Sequence, residues 1–160
     1  DGIANTGVDD FRLFEVSLRT EDGDVISQID IRKPFWVEIR YTLRADLAHA
    51  RVGFLLVSEQ GVTVYETYDS DHVAYSGKRA SGSYMARCKV PAQFLNARRY
   101  FVSVNAGIPN VRNLVYLESI LAFDVCDTGG AGSQDRVPRD GIIRPLLTWE
   151  QETMESSDDD

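Results

Sequence analysis

Between Trp36 and Leu43 apolar and polar side chains alternate without a break: Val37, Ile39, Tyr41 and Leu43 fall on one side, Glu38, Arg40 and Thr42 on the other. A period of two is what an extended strand with one buried face requires, and a helix cannot bury such a pattern. Similar strand-length segments recur along the chain with turn signals between them, and helical periodicity is nearly absent. That combination predicts an all-β, antiparallel sandwich.

The first segment, Phe11 to Leu18, places Phe11, Leu13, Val16 and Leu18 as apolar positions and closes at Glu21-Asp22-Gly23-Asp24. Asp-Gly marks a tight hairpin turn. Val25 to Ile31 returns as a short strand, broken by Lys33-Pro34, and Val52 to Val57 is apolar on both faces, as a central strand would be. Glu59-Gln60-Gly61 turns that strand into Val62 to Tyr68. A polar connection, Asp69 to Ser81, precedes the strand Ser83 to Val90, which stops at Pro91. Ala92 to Ala97 suits a single helical turn or a loop. Tyr100 to Ala106, the loop Gly107 to Asn113 and Leu114 to Val125 complete the pattern.

Residues 1–126 are thus expected to form the sandwich, 127–139 a flexible Gly-rich linker, 140–150 a separate C-terminal strand, and 151–160 a disordered acidic tail. The segment Asp140 to Trp149 is apolar, ends in Trp149, and needs a surface to bury against. A neighbouring copy of the chain is one such surface. At 160 residues and 43 % apolar, the chain is long enough for one domain with a sizeable core. No apolar run has the length of a membrane-spanning helix, and the first residues hold no basic-then-apolar signal segment. The opening Asp1 to Gly7 has no start methionine, so an excised domain or a processed product is expected.

The net charge of −8 argues against nucleic acid, whose phosphates call for clustered Lys and Arg. Cys88 and Cys126 both lie in strand patterns, and either a disulfide or two buried thiols would fit. With two Cys, no CxxC and two His, a structural zinc site is not expected, and no cofactor is implied. The chain has no GxxxxGK[ST], GxGxxG, HExxH or GxSxG motif, so it does not read as an enzyme. Asp69, Asp71 and His72 cluster in the polar connection as a metal or general-base set would, and equally as a solvated loop would. Asp22-Gly23-Asp24 copies part of a calcium loop without its bidentate Glu and remains a hairpin turn.

If the strands follow immunoglobulin order, Trp36–Leu43 pairs with Ser83–Val90 in one sheet. The strands 52–57, 62–68, 100–106 and 114–125 then form the other. The first sheet would turn Glu38, Arg40, Thr42, Met85, Arg87 and Lys89 outward, a solvated mixed-charge surface. The second would turn out Tyr65, Thr67, Phe101, Ser103 and Asn105, with Glu118 beside them. Aromatic rings next to Ser, Thr and Asn suit a sugar, which offers an apolar CH face and hydroxyls that need donors and acceptors. Asp69, His72 and Tyr75, with Tyr68 and Asp71, border this sheet and would wall a shallow groove. The same aromatics would also suit packing under a loop or at a dimer contact.

An ordered series of segments resembles a known family. It runs through Phe11-Arg12-Leu13-Phe14-Glu15-Val16, Glu21-Asp22-Gly23, Trp36-Val37-Glu38-Ile39-Arg40-Tyr41, Val52-Gly53-Phe54-Leu55-Leu56 and Tyr65-Glu66-Thr67. It continues with Tyr100-Phe101-Val102-Ser103-Val104 and ends with Gly141-Ile142-Ile143-Arg144-Pro145 and Trp149. Over roughly residues 2 to 150 the chain is similar to the C-terminal carbohydrate-binding domain of Wzt, the nucleotide-binding subunit of ABC transporters that export O-antigen polysaccharide. The resemblance implies an immunoglobulin-like sandwich under the bacterial inner membrane, in the cytoplasm. It also implies recognition of the growing or capped end of a lipid-linked glycan, and a homodimer that exchanges C-terminal strands. An ATPase domain and a membrane-spanning subunit would be the wider partners, with any ATPase activity outside this sequence. No fixed set of sugar ligands comes with the resemblance; the candidate residues rest on strand geometry. The competing reading is an immunoglobulin-like protein-interaction or oligomerisation domain.

Overall fold

The computed structural model describes residues 2–75, 77–129 and 137–154, with residues 2–6 as backbone. Most of the expected Gly-rich linker (130–136) and the end of the acidic tail (155–160) lie outside the described residues. The strands are β1 (Gly2–Thr6), β2 (Phe11–Arg19), β3 (Gln28–Asp30), β4 (Phe35–Leu43), β5 (Leu47–Ala48), β6 (Arg51–Ser58) and β7 (Thr63–Tyr68). After two single 3-10 turns, Asp69–Asp71 and Val73–Tyr75, come β8 (Lys78–Arg79), β9 (Gly82–Val90), β10 (Arg99–Ile108) and β11 (Arg112–Cys126). Among the described residues no helix is long and apolar enough to cross a membrane.

Two sheets pack face to face. One has the order β1-β2-β4-β9, the other β3-β11-β10-β6-β7, and β5 and β8 form a small separate pair. All pairings are antiparallel except β3 with β11. The alternation of β4 comes out as expected: Val37, Ile39, Tyr41 and Leu43 are buried. They meet Phe54, Leu56, Val102 and Val104 of the other sheet in one core. Fully burying a side chain of this size contributes about 1.5–3 kcal/mol, so the facing layers dominate the stability of the sandwich. Aromatic rings pack both between and within the layers: Phe35 and Phe123 face each other across the sheets at 5.4 Å, and Phe11, Tyr41 and Tyr84 stack in series along the four-stranded sheet at 5.0 and 5.2 Å.

Local signals resolve as their chemistry requires. The Glu21–Asp24 corner is a tight turn, with Thr20 N–H bonded to Asp24 O at 2.9 Å and Gly23 at φ 90°. Ala92 to Ala97 is a loop with no helical turn. Both cysteines are free and half-buried, so the disulfide alternative falls.

The C-terminal segment differs from the strand expected at 140–150. In this single chain it makes one isolated bridge, Leu95 with Ile143. Tyr100 Oη and Asn96 N–H both donate to Ile142 O, at 2.8 and 2.9 Å, and the Asn96 amide donates to the carbonyls of Arg139 and Gly141. Beyond Arg144 the segment carries no regular structure, and Leu146, Leu147 and Trp149 are exposed, Trp149 to 90 %.

Candidate functional site

The outer face of the five-stranded sheet carries a built cluster. On β10 the side chains Tyr100, Val102, Val104 and Ala106 are buried in the core, so Phe101, Ser103 and Asn105 point outward, as the alternation of this strand predicted. Asn105 lies opposite Gly53 of β6 and Tyr116 of β11. Its Nδ2 donates to Tyr68 Oη at 2.9 Å. Position 53 must be Gly, because a Cβ there would stand 1.9 Å from Thr67 O and 2.8 Å from Tyr68 Cδ1. The Tyr68 ring occupies that space, and the guanidinium of Arg51 covers it, 3.9 Å from the ring centroid. Burial and the Glu66 carboxylate beside it raise the Tyr68 hydroxyl pKa above its ordinary value.

Phe101 is half-buried and Tyr116 is 51 % exposed on this face. Ser103, by contrast, is buried: its Oγ accepts Ser119 N–H at 2.8 Å and pins the irregularity where β11 slips register between Leu121 and Leu117. Its role is structural, although its direction was read correctly. At the end of the face, the turn joining β10 to β11 borders a groove of about 340 Å³ lined by Arg51, Asn105, Gly107, Asn110, Arg112 and Asn113.

The other candidate residues do not join this cluster. Tyr65 pairs with Leu56, and Thr67 with Phe54, both core positions, so Tyr65 and Thr67 turn inward. This corrects the outward placement expected from sequence. The register of β7 slips between Leu56 and Val57, and β-forming residues occupy both parities of Val62 to Tyr68, so the strand alone does not declare its inner face. Tyr65 sits between Phe54 and Phe94, each 6.0 Å away, and burial raises its pKa.

Thr67, Asp69, His72 and Tyr75 line a second opening, a cleft of about 850 Å³ between the sheets at their β7 and β9 edges. Tyr41, Tyr84 and Cys88 also line it. Burial pushes the Tyr41 hydroxyl up to about 12 and raises the Cys88 thiol. The Asp69 carboxylate accepts Arg79 Nη1 at 2.9 Å, Arg79 Nη2 at 3.3 Å and Val52 N–H at 3.0 Å. Asp71 accepts from Thr67 Oγ1 and from Tyr68 N–H. The two carboxylates are therefore structural anchors, while His72 is exposed with its ring 6.1 Å from Tyr75. Among the described residues no group of three or more His, Cys, Asp or Glu could hold a metal ion.

The Wzt C-terminal domain family model matches residues 5–142, most of the chain. The chain belongs to the Wzt C-terminal domain family. This family is the non-catalytic C-terminal domain of a transporter subunit and is associated with ABC transporters that export O-antigen. Among solved structures, the crystal structure of the C-terminal domain of Wzt superposes with a TM-score of 0.73 at 12 % identity, covering 92 % of this chain and 87 % of that one. At that identity the likeness concerns the fold. No curated protein matches the chain.

For a Wzt C-terminal domain the four-stranded sheet is equally informative about what is structural. Its outer face buries Glu38 to 3 % exposure among Arg40, Arg19 and Arg87, at 2.8, 3.4 and 3.5 Å. Arg87 and Lys89 lie over the Trp36 ring. Arg19 and Arg87 reach Glu38 from the neighbouring strands and Arg40 from its own, so this carboxylate is covered by its partners and not solvated as expected from sequence. Sequence reasoning missed Arg51, Gly53 and Tyr116 on the opposite face. A Gly inside the apolar run Val52 to Val57 was the available signal, since it marks a place where another group comes close.

Proposed function

We propose that this chain is a non-catalytic carbohydrate-binding module that engages O-antigen polysaccharide, at its growing or capped end, for export by an ABC transporter. The observation that carries this reading is the outer face of the five-stranded sheet, where Phe101 and exposed Tyr116 flank Asn105 and the Tyr68–Arg51 stack. A sugar ring lays its CH face on such rings, and its hydroxyls take up amide and guanidinium groups beside them. The family context supports the same assignment, with the domain working at the cytoplasmic side of the inner membrane beside an ATPase domain and a membrane-spanning subunit.

The domain would act as a homodimer that exchanges its C-terminal segments. Exposed Leu146, Leu147 and Trp149, just past a segment tied to the core through Ile142 and Arg144, support this arrangement. The same exposed side chains favour a second reading, in which the domain is a protein-interaction or oligomerisation module. Equilibrium binding of lipid-free O-polysaccharide to the wild type and to Phe101→Ala and Tyr116→Ala separates the two. The first reading expects binding that each variant weakens about tenfold, the worth of one ring contact. Undiminished dimer with no polysaccharide binding would leave only the second.

A further inference from the structure

We infer that the groove at the Arg51 end of this face reads an oxyanion, a carboxylate or a phosphate, carried by the bound glycan; this rests on the glycan-binding reading above. Three observations converge on Arg51. Its guanidinium lies over the Tyr68 ring, 3.9 Å from the centroid, a contact that orders the side chain and leaves its N–H groups for other partners. Among the described residues it has no ion-pair partner, whereas Arg112 across the groove is held by Asp10 at 2.7 Å. It also lines an open groove of about 340 Å³, within the size range of small-ligand sites, together with Asn105, Asn110 and Asn113.

A planar fork held on an aromatic ring is already ordered, so little side-chain freedom is lost when it forms paired N–H bonds to a carboxylate or phosphate. In a chain of net charge −8, long-range electrostatics would repel an acidic glycan, so a local cation is needed to hold one. Glu66 stands against the hydroxyl of Tyr68 and disfavours an anion there. That directs the acidic group to the groove, while neutral parts of the glycan lie along Phe101 and Tyr116.

The test is an array of matched neutral, uronic-acid and phosphate-bearing oligosaccharides, probed with the full chain and with Arg51→Met and Arg51→Lys. Inorganic phosphate titrated against the Arg51 Nε resonance serves as control. The inference expects acidic members to bind about tenfold tighter than neutral ones at low salt, with the preference abolished in Arg51→Met and reduced in Arg51→Lys. Binding confined to uronates or to phosphates names the source of the oxyanion. Equal binding of neutral and acidic members, unchanged by Arg51→Met, would overturn the inference and leave the glycan reading intact. Inorganic phosphate moving Arg51 Nε as strongly as any sugar would overturn it in favour of a bare anion site. Silence across the whole array would overturn both readings.

Discussion

Asp69 and Arg79 form a buried pair that ties the polar connection to the core. The guanidinium is 8 % exposed and also donates to Tyr41 Oη at 2.7 Å and to the carbonyls of Ala50 and Tyr75 at 3.1 and 2.9 Å. Replacing Asp69 by Asn leaves that buried charge without its counter-ion, which costs about 3 kcal/mol. Urea unfolding should report this loss, and an Asp69→Asn chain as stable as the wild type would show the pair to be dispensable.

Gly53 admits the Tyr68 ring. A methyl group there meets the Thr67 carbonyl at 1.9 Å, a backbone atom that cannot step aside without moving β7. Gly53→Ala should therefore destabilise on the order of 3 kcal/mol and displace Tyr68 from Asn105. Thermal melts and the Asn105 side-chain amide resonance read both effects. An unchanged melt with an unmoved amide would mean that β6 and β7 are not held this closely.

These two relationships mark the limit of what the sequence declared. The strand β4 and the outward direction of Phe101 and Asn105 were legible, because strict alternation leaves one choice of buried face. The inward turn of Tyr65 was not, because β7 has β-forming residues at both parities and its register depends on a slip against β6. The burial of Arg79 and Ser103 was hidden for a different reason. Each is a polar residue in an ordinary context whose partner, Asp69 or the Ser119 amide, is supplied by folding. Tyr116 lay inside a long apolar stretch whose facing changes at the irregularity near Ser119.

Asp30 links stability to pH. Its carboxyl is held well below the usual carboxylate range, chiefly by the hydrogen bond from Arg32, whose Nη2 lies 2.9 Å away; Thr128 Oγ1 donates as well, at 2.9 Å. A folded pKa below the unfolded value of about 3.9 contributes stability that is fully present above that value and lost as pH falls toward the folded pKa. Asp30→Asn should thus be less stable than the wild type at pH 7, and the gap should narrow below about pH 4. A gap independent of pH would assign the effect to packing and not to charge.

Trp149, 90 % exposed in the single chain, reports on exchange of the C-terminal segment. In a monomer, Trp149→Ala changes stability by less than about 0.5 kcal/mol. If the segment is buried on a second copy, the same change weakens dimerisation by about 3 kcal/mol. Sedimentation equilibrium across a concentration series distinguishes these cases. A wild-type chain that stays monomeric throughout would exclude the exchanged dimer.

The most direct test of the central claim is amide chemical-shift mapping during titration with lipid-free O-polysaccharide from the source strain. Binding on the outer face of the five-stranded sheet predicts shifts at Phe101, Asn105, Tyr116 and Arg51, with Tyr84, Cys88 and His72 in the lateral cleft unmoved. Shifts confined to the cleft, or none at saturating polysaccharide, would contradict it.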